Sequence, residues 1–112
     1  MKYFPKQITC KWIQSAYEDG RLTPQELVDE IIARAEKNTE KNIWIVAPSH
    51  ELIDFYVKNL PPKSEDTPLW GIPFAIKDNI DLAEVPTTAA CPEYAYVPEK
   101  SAYVVEKLIK AG

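Results

Sequence analysis

GIPFAIKDNID, residues 71–81, is the stretch of sequence on which the fold and the chemistry both depend. Its apolar run, residues 72–76, is typical of a strand buried on both faces, because alternate side chains of a strand point to opposite sides of the sheet. Lys77 follows this run directly and precedes an aspartate. The pattern predicts a short strand over 72–77 that ends in a lysine.

Lys77 has two interpretations. Burial disfavours the charged form of an amine, so a lysine at the inner end of an apolar strand could have a lowered pKa and act as a base near neutral pH. Such a base would activate a hydroxyl nucleophile, which is weak without one. The alternative is a Lys77 that points into water and pairs loosely with Asp78 or Asp81. The residue pattern alone favours this alternative, because lysines are rarely buried.

Composition and charge narrow the class of protein. The chain has 112 residues, of which 46% are hydrophobic and 27% charged, and this is the composition of a folded domain. A net charge of -4 without any basic run gives no electrostatic basis for binding nucleic acid. The sequence shows neither a secretory signal nor an apolar stretch long enough to cross a membrane. We therefore expect a cytoplasmic protein that binds neither nucleic acid nor membrane.

Other candidate chemical groups are weaker than Lys77. Cys10 and Cys91 are too few for a disulfide framework and have no metal-ligand spacing, so we expect reduced thiols and neither metal nor cofactor. His50, the only histidine, is interpreted as a surface residue, and neither order nor spacing supports a Cys91 nucleophile with His50 as its base. None of the serines lies in a glycine-rich turn suited to acyl transfer. They occupy predicted helices, caps or a polar linker, at positions 15, 49, 64 and 101.

Several segments have the apolar spacing of amphipathic helices. Thr23 is predicted to cap the clearest of these, with Glu26 completing a capping box. Gly20 is expected to end the preceding helix, and Ser49 and Ser101 to cap the later two. A second short strand is predicted from the β-branched and aromatic run at 43–47. The predicted helices cover residues 9–19, 23–37, 49–58 and 101–111, with Gly112 at the last helix end.

A proline-bearing linker divides the chain. Prolines after residue 68 exclude long helices before residue 100. We expect an α/β protein whose N-terminal helices are followed by the first short strands of a mixed sheet. The last helix is apolar and nothing follows it, so the sequence is expected to stop before the next strand of the fold. The expected parts are a helical part at about 8–60, a linker at 61–68 and a lysine-bearing part at 69–112.

Residues 68–112 resemble the opening of the amidase signature family of serine amidohydrolases. The resemblance rests on GIPFAIKDNID, on PTT at 86–88 and on a following helix with two adjacent valines. Within the family, PTTAACPEYAYVP and NIWI are most similar to the allophanate hydrolases. The resemblance implies a Ser–cis-Ser–Lys triad with Lys77 as its lysine. In that triad the lysine takes a proton from one serine, which activates a second, nucleophilic serine. Both serines and the oxyanion hole belong to a segment that this sequence does not contain.

Three hypotheses remain open. The first is the N-terminal segment of an allophanate hydrolase-like amidase, which hydrolyses C–N amide bonds with release of ammonia. Such a segment would be inactive alone and would pair with itself or with a complementary C-terminal segment, with the 72–77 strand at or beside the interface. The second is a non-catalytic binding or interaction module derived from this fold. The third is a segment of the amidase subunit of a tRNA-dependent amidotransferase, which the stretch ACPEYAYVP disfavours.

Overall fold

The computed structural model describes residues 2–112, and these residues form four α-helices and two short 3-10 helices. The α-helices are α1 (Cys10–Glu18), α2 (Pro24–Lys37), α3 (His50–Lys58) and α4 (Tyr103–Lys110). The 3-10 helices are Thr39–Lys41 and Pro92–Tyr94. α2 packs against α3. Each α-helix begins and ends close to its predicted bounds. None of the described helices is long and apolar enough to cross a bilayer.

The ends of the first three α-helices follow from local chemistry. Thr23 Oγ1 accepts the Glu26 N–H at 3.3 Å, and the Glu26 carboxylate accepts the Thr23 N–H at 2.9 Å, so the predicted capping box is present. Ser49 Oγ accepts the Leu52 N–H at 3.2 Å and caps α3 as predicted. Gly20 follows α1 with a φ of 71°, a left-handed conformation that glycine adopts without steric cost.

The start of α4 differs from the prediction. Ala102, not Ser101, is the N-cap residue, and no side chain caps this helix. The Ser101 hydroxyl instead accepts the Ala83 N–H at 2.9 Å, which ties the start of α4 to the loop after the lysine motif. The end of α4 agrees with the prediction, since Gly112 has a φ of 98° and donates its N–H to Ile109 at 3.1 Å.

The predicted α/β fold is wrong, because residues 2–112 contain no β-strand. Both predicted strands, 43–47 and 72–77, lie outside helix and strand alike. The only sheet-like contact among the described residues is a single antiparallel bridge between Thr87 and Tyr96, with N–H···O distances of 2.8 and 3.1 Å. A strand is stable only when a second strand pairs with it. No segment of the described chain pairs with either apolar run, so these runs remain irregular.

The hydrophobic core is small and lies around α1 and the start of α2. Its buried side chains are Ile13, Ala16, Leu22 and Leu27, and Val28, Ile32 and Val105 are also buried, outside this cluster. Ile72, the first residue of the apolar run, packs against this core and is itself partly buried. α3 has no buried residue, and the apolar side chains of 43–46 are all exposed. Much of the apolar surface that the sequence pattern assigns to a protein interior is therefore uncovered.

The start of the lysine motif is held by contacts with α1 and with the end of α4. The Tyr17 hydroxyl donates to the Gly71 carbonyl at 2.7 Å, and the Tyr17 ring meets Trp70 edge-on at a centroid distance of 5.3 Å. Burial raises the pKa of Tyr17 well above its usual value, which keeps its hydroxyl protonated as a donor. The Gly71 N–H donates to the Gly112 carbonyl at 2.7 Å. The motif thus starts from a backbone held by α1 on one side and by the end of α4 on the other.

Candidate active site

Lys77 is exposed and lies at the end of the apolar run, directly before a turn. Its carbonyl oxygen accepts the Ile80 N–H at 2.9 Å. Within residues 2–112 its amine forms neither a salt bridge nor a hydrogen bond. The exposure agrees with the simpler interpretation of this lysine, whereas the expected pairing with Asp78 or Asp81 is absent. The predicted burial of Lys77 at the end of a strand does not occur within residues 2–112.

Asp78 holds the loop that follows the motif. Its carboxylate accepts the Thr88 hydroxyl, the Thr88 N–H at 3.3 Å and the Ala90 N–H at 3.2 Å. The hydrogen bond from the Thr88 hydroxyl is the main cause that lowers the pKa of Asp78. The carboxylate is therefore committed to the loop and not to the neighbouring lysine.

Asp81 makes a second connection to the same loop. Its Oδ1 accepts the Thr87 hydroxyl at 2.8 Å and the Tyr96 hydroxyl at 2.6 Å, and the hydrogen bond to Asp81 raises the pKa of Tyr96. Its carbonyl oxygen accepts the Ala102 N–H at 2.9 Å at the start of α4. Sequence reasoning missed the roles of both aspartates. The only signal was the polar PTT stretch, which gave no indication of which acceptors it would meet.

Lys77 lies at the edge of an open groove of about 810 Å³. The groove walls come from α2, α3, α4, the 43–46 segment and the 72–76 run, and they are mostly apolar. Trp44 and Phe74 are 41% and 45% exposed there. No serine, threonine, cysteine or histidine of the described residues lines the groove. An amine beside a large apolar concavity has the general form of a ligand site, but among the described residues this one has no serine, threonine or cysteine nucleophile.

The other candidate groups are engaged elsewhere. His50 Nδ1 lies 3.1 Å from Asp54 Oδ1, and Cys91 Sγ donates to Glu93 at 3.3 Å. The two candidates of a Cys–His pair are therefore not brought together within residues 2–112. Three serine hydroxyls accept backbone N–H groups at helix ends and turns, as structural residues do; they belong to Ser49, Ser64 and Ser101.

Comparison with known proteins decides the family. The amidase family matches residues 26–112, a region that contains Lys77. The chain belongs to the amidase family. It is 37% identical over 103 residues to the urea amidolyase of Saccharomyces cerevisiae, a match that covers 90% of this chain and 6% of that protein. It is 48% identical over 93 residues to a subunit of the glutamyl-tRNA(Gln) amidotransferase of Lawsonia intracellularis, covering 79% of this chain and 18% of that protein.

A solved structure agrees with this assignment. The allophanate hydrolase of Kluyveromyces lactis superposes with a TM-score of 0.75 and 34% identity, over 94% of this chain and 18% of that enzyme. The predicted membership of the amidase signature family is thereby confirmed. The chain spans only 6–18% of the length of these three relatives. It therefore corresponds to a small part of each of them.

Proposed function

We propose that this chain is the N-terminal, lysine-bearing segment of an amidase that hydrolyses C–N amide bonds and releases ammonia, with Lys77 as the catalytic lysine. The observation that carries the proposal is the position of Lys77. Its amine is exposed and unpaired among residues 2–112, at the edge of the groove, and within the region that matches the amidase family. In this assignment residues 8–60 are the helical part, 61–68 the linker and 69–112 the part that presents the lysine.

The proposed chemistry needs a neutral amine at Lys77. The amine takes a proton from a relay serine in a cis peptide, and the relay serine takes the proton of the nucleophilic serine. The nucleophile attacks the amide carbonyl, the nitrogen leaves with a proton, and water then releases the acyl group. Closure of the groove by further protein would remove water from around the amine. That desolvation would disfavour the charged form of the amine and so favour the neutral base.

We propose that the chain has no amidase activity by itself. No serine, threonine or cysteine among the described residues lines the groove beside Lys77. Neither is there a glycine- and serine-rich segment that could form an oxyanion hole. Members of such a catalytic unit act together, and loss of one typically costs several orders of magnitude in rate. Here the nucleophile, the relay and the oxyanion donors would all have to come from elsewhere.

A complementary C-terminal amidase segment is the partner that we propose for the groove. Large apolar side chains are exposed in it, including Ile43, Trp44 and Phe74 at 61%, 41% and 45%. Contiguous exposed apolar surface marks an interaction site. Burying a few hundred Å² of it, at about 25 cal/mol per Å², contributes several kcal/mol to association. Without the complementary segment, the same surface favours self-association.

Allophanate is the substrate that the proposal favours. Two relatives bear the names urea amidolyase and allophanate hydrolase, and PTTAACPEYAYVP, residues 86–98, supports the same choice. The amidotransferase relative, at 48% identity, favours a second candidate, a segment of a tRNA-dependent amidotransferase amidase subunit. We place the function in the cytoplasm, because Cys10 and Cys91 are free and exposed, as thiols are in a reducing compartment.

Reconstitution tests the proposal. The chain is mixed with Kluyveromyces lactis allophanate hydrolase from which the matching segment has been removed, and ammonia release from allophanate is measured. Each piece alone should be inactive and the mixture active. A covalent chimera, in which this chain replaces the matching segment, tests catalysis when association is too weak. A chimera that folds but stays silent on allophanate and on glutamine, beside an active parent enzyme, would favour a non-catalytic module.

A further inference from the structure

Asp78 is the acceptor for a whole loop. Its carboxylate binds the hydroxyl and the N–H of Thr88 and the N–H of Ala90. Its carbonyl oxygen accepts the Ala89 N–H at 2.9 Å. Every residue of 88–90 therefore donates a hydrogen bond to Asp78, the residue that directly follows Lys77.

The loop that Asp78 binds has an unfavourable backbone conformation. Ala89 and Ala90 have φ values of 48° and 61°, in the left-handed region where a Cβ crowds the carbonyl oxygen. Neither residue is a glycine, so the conformation persists only because surrounding contacts over-determine it. The hydrogen bonds to Asp78 are contacts of this kind, since they hold the N–H groups of both residues.

The base of the loop has an anchor that is independent of Asp78. Thr87 and Tyr96 exchange two backbone hydrogen bonds, and the Asp81 carboxylate accepts a hydrogen bond from the hydroxyl of each. Loss of the Asp78 carboxylate should therefore free the tip of the loop without detaching its base. The Lys77 amine has no hydrogen-bond or salt-bridge partner among residues 2–112. The position of Lys77 is therefore set by its backbone, which is joined directly to Asp78.

We propose that Asp78 is a positioning residue: by clamping the 88–90 loop, it fixes the backbone of Lys77 and hence the point from which the lysine enters the groove. The catalytic consequence rests on the proposed function. Asp78 acts through the loop, since its carboxylate binds Thr88 and Ala90 and forms no salt bridge with Lys77.

Hydrogen exchange and NMR on the chain itself test the clamp. In Asp78→Asn, amide exchange at Thr88 and Ala90 should accelerate by about tenfold or more, as expected for weakened hydrogen bonds to a formerly charged acceptor. The heteronuclear NOE of the Lys77 amide should fall with it. Asp66→Asn changes the net charge equally at an exposed site and should change neither. Unchanged exchange and NOE in Asp78→Asn would overturn the proposal.

Thr88→Val keeps the proposal testable when Asp78→Asn does not fold. It removes only the hydroxyl donor, so the pH midpoint of the Ala90 amide shift should move upward, towards the usual carboxyl pKa. An unmoved midpoint would contradict the clamp.

The chimera tests the catalytic consequence. Asp78→Asn should lower kcat by about tenfold or more with little change in KM, and Asp78→Glu should restore part of it. Equal kcat in an active wild-type chimera and in Asp78→Asn would overturn the positioning role. An inactive wild-type chimera would count against the proposed function. The hydrogen-exchange and NOE data would then decide whether Asp78 fixes the backbone of Lys77.

Discussion

Gly71→Ala should weaken the junction that starts the lysine motif, and the structure provides the magnitude. Gly71 has a φ of 69°, so an alanine there costs about 1 kcal/mol in backbone strain. Its new Cβ would lie 2.7 Å from Tyr17 Cε2, closer than real contacts allow. The ring must move, and it then weakens its hydrogen bond to Gly71 and its edge contact with Trp70, each worth about 1 kcal/mol. The expected total is about 2–4 kcal/mol.

Gly20→Ala is a matched control for this prediction. Gly20 has nearly the same φ, 71°, but nothing lies within 4 Å of the position that its Cβ would occupy. It should cost only the backbone strain, about 1 kcal/mol. Urea unfolding followed by tryptophan fluorescence measures both, and Gly71→Ala should have a midpoint about 1 M below that of Gly20→Ala. Equal midpoints would show that the Tyr17 ring does not restrict a side chain at position 71.

Three further outcomes are expected. Thr23→Ala removes the side-chain half of the α2 capping box and should lower the free energy of unfolding by about 1 kcal/mol in thermal unfolding. Thr39→Ala removes no side-chain cap hydrogen bond and should lower it by less than about 0.5 kcal/mol. Equal losses in the two variants would contradict a stabilising capping box. The pKa of Asp78 is lowered in the folded chain, so its stabilisation is present above the unfolded pKa of about 3.9 and is lost as pH falls through the lower folded value. Asp78→Asn should therefore flatten the acid limb of the stability–pH curve measured by urea unfolding, and a curve parallel to wild type would contradict this. Phe74→Ser, at an exposed groove position, should change the stability of the free chain by less than about 0.5 kcal/mol. In calorimetry it should weaken binding to the complementary segment by about tenfold. An unchanged affinity would count against the groove as the docking surface.

The α-helices were predictable because their signals are local. The Thr23 and Glu26 pair specifies its own capping box, and the apolar spacing of α2 specifies which face is buried. Ser101 shows the limit of such signals. A serine hydroxyl accepts whichever N–H is near, and the fold brings Ala83 to it in place of the start of α4.

The two predicted strands are absent because a strand requires a second strand to pair with, and the composition of a segment does not show whether one is present. The 72–77 run has the composition of a buried strand, yet no segment among residues 2–112 pairs with it. Composition therefore identified the apolar run and its lysine without showing whether a sheet exists to receive them. The family was recognisable from the same residues, since the motif around Lys77 is contiguous in sequence and needs no tertiary information.

The exposure of Lys77 agrees with the simpler interpretation, but its expected pairing with Asp78 or Asp81 does not form, and the reason is energetic. An exposed pair between Lys77 and Asp78 contributes little in water, about 0–1 kcal/mol. The loop offers Asp78 a hydroxyl and two N–H donors in place of that pair. These donors come from Thr88 and Ala90, ten and twelve positions along the chain. Their arrangement depends on a left-handed turn, which the sequence of the loop does not predict because no glycine lies there.

The role of Lys77 is tested most directly by substitution in the reconstituted enzyme. Ammonia release from allophanate is measured for the mixture or chimera that carries the wild-type chain, Lys77→Ala or Lys100→Ala, the last a change of equal charge at an exposed position. If Lys77 is the catalytic lysine, Lys77→Ala should lower kcat by about a thousandfold or more while Lys100→Ala stays close to wild type. A Lys77→Ala enzyme that retains the kcat of the Lys100→Ala enzyme would show that Lys77 is not the catalytic lysine.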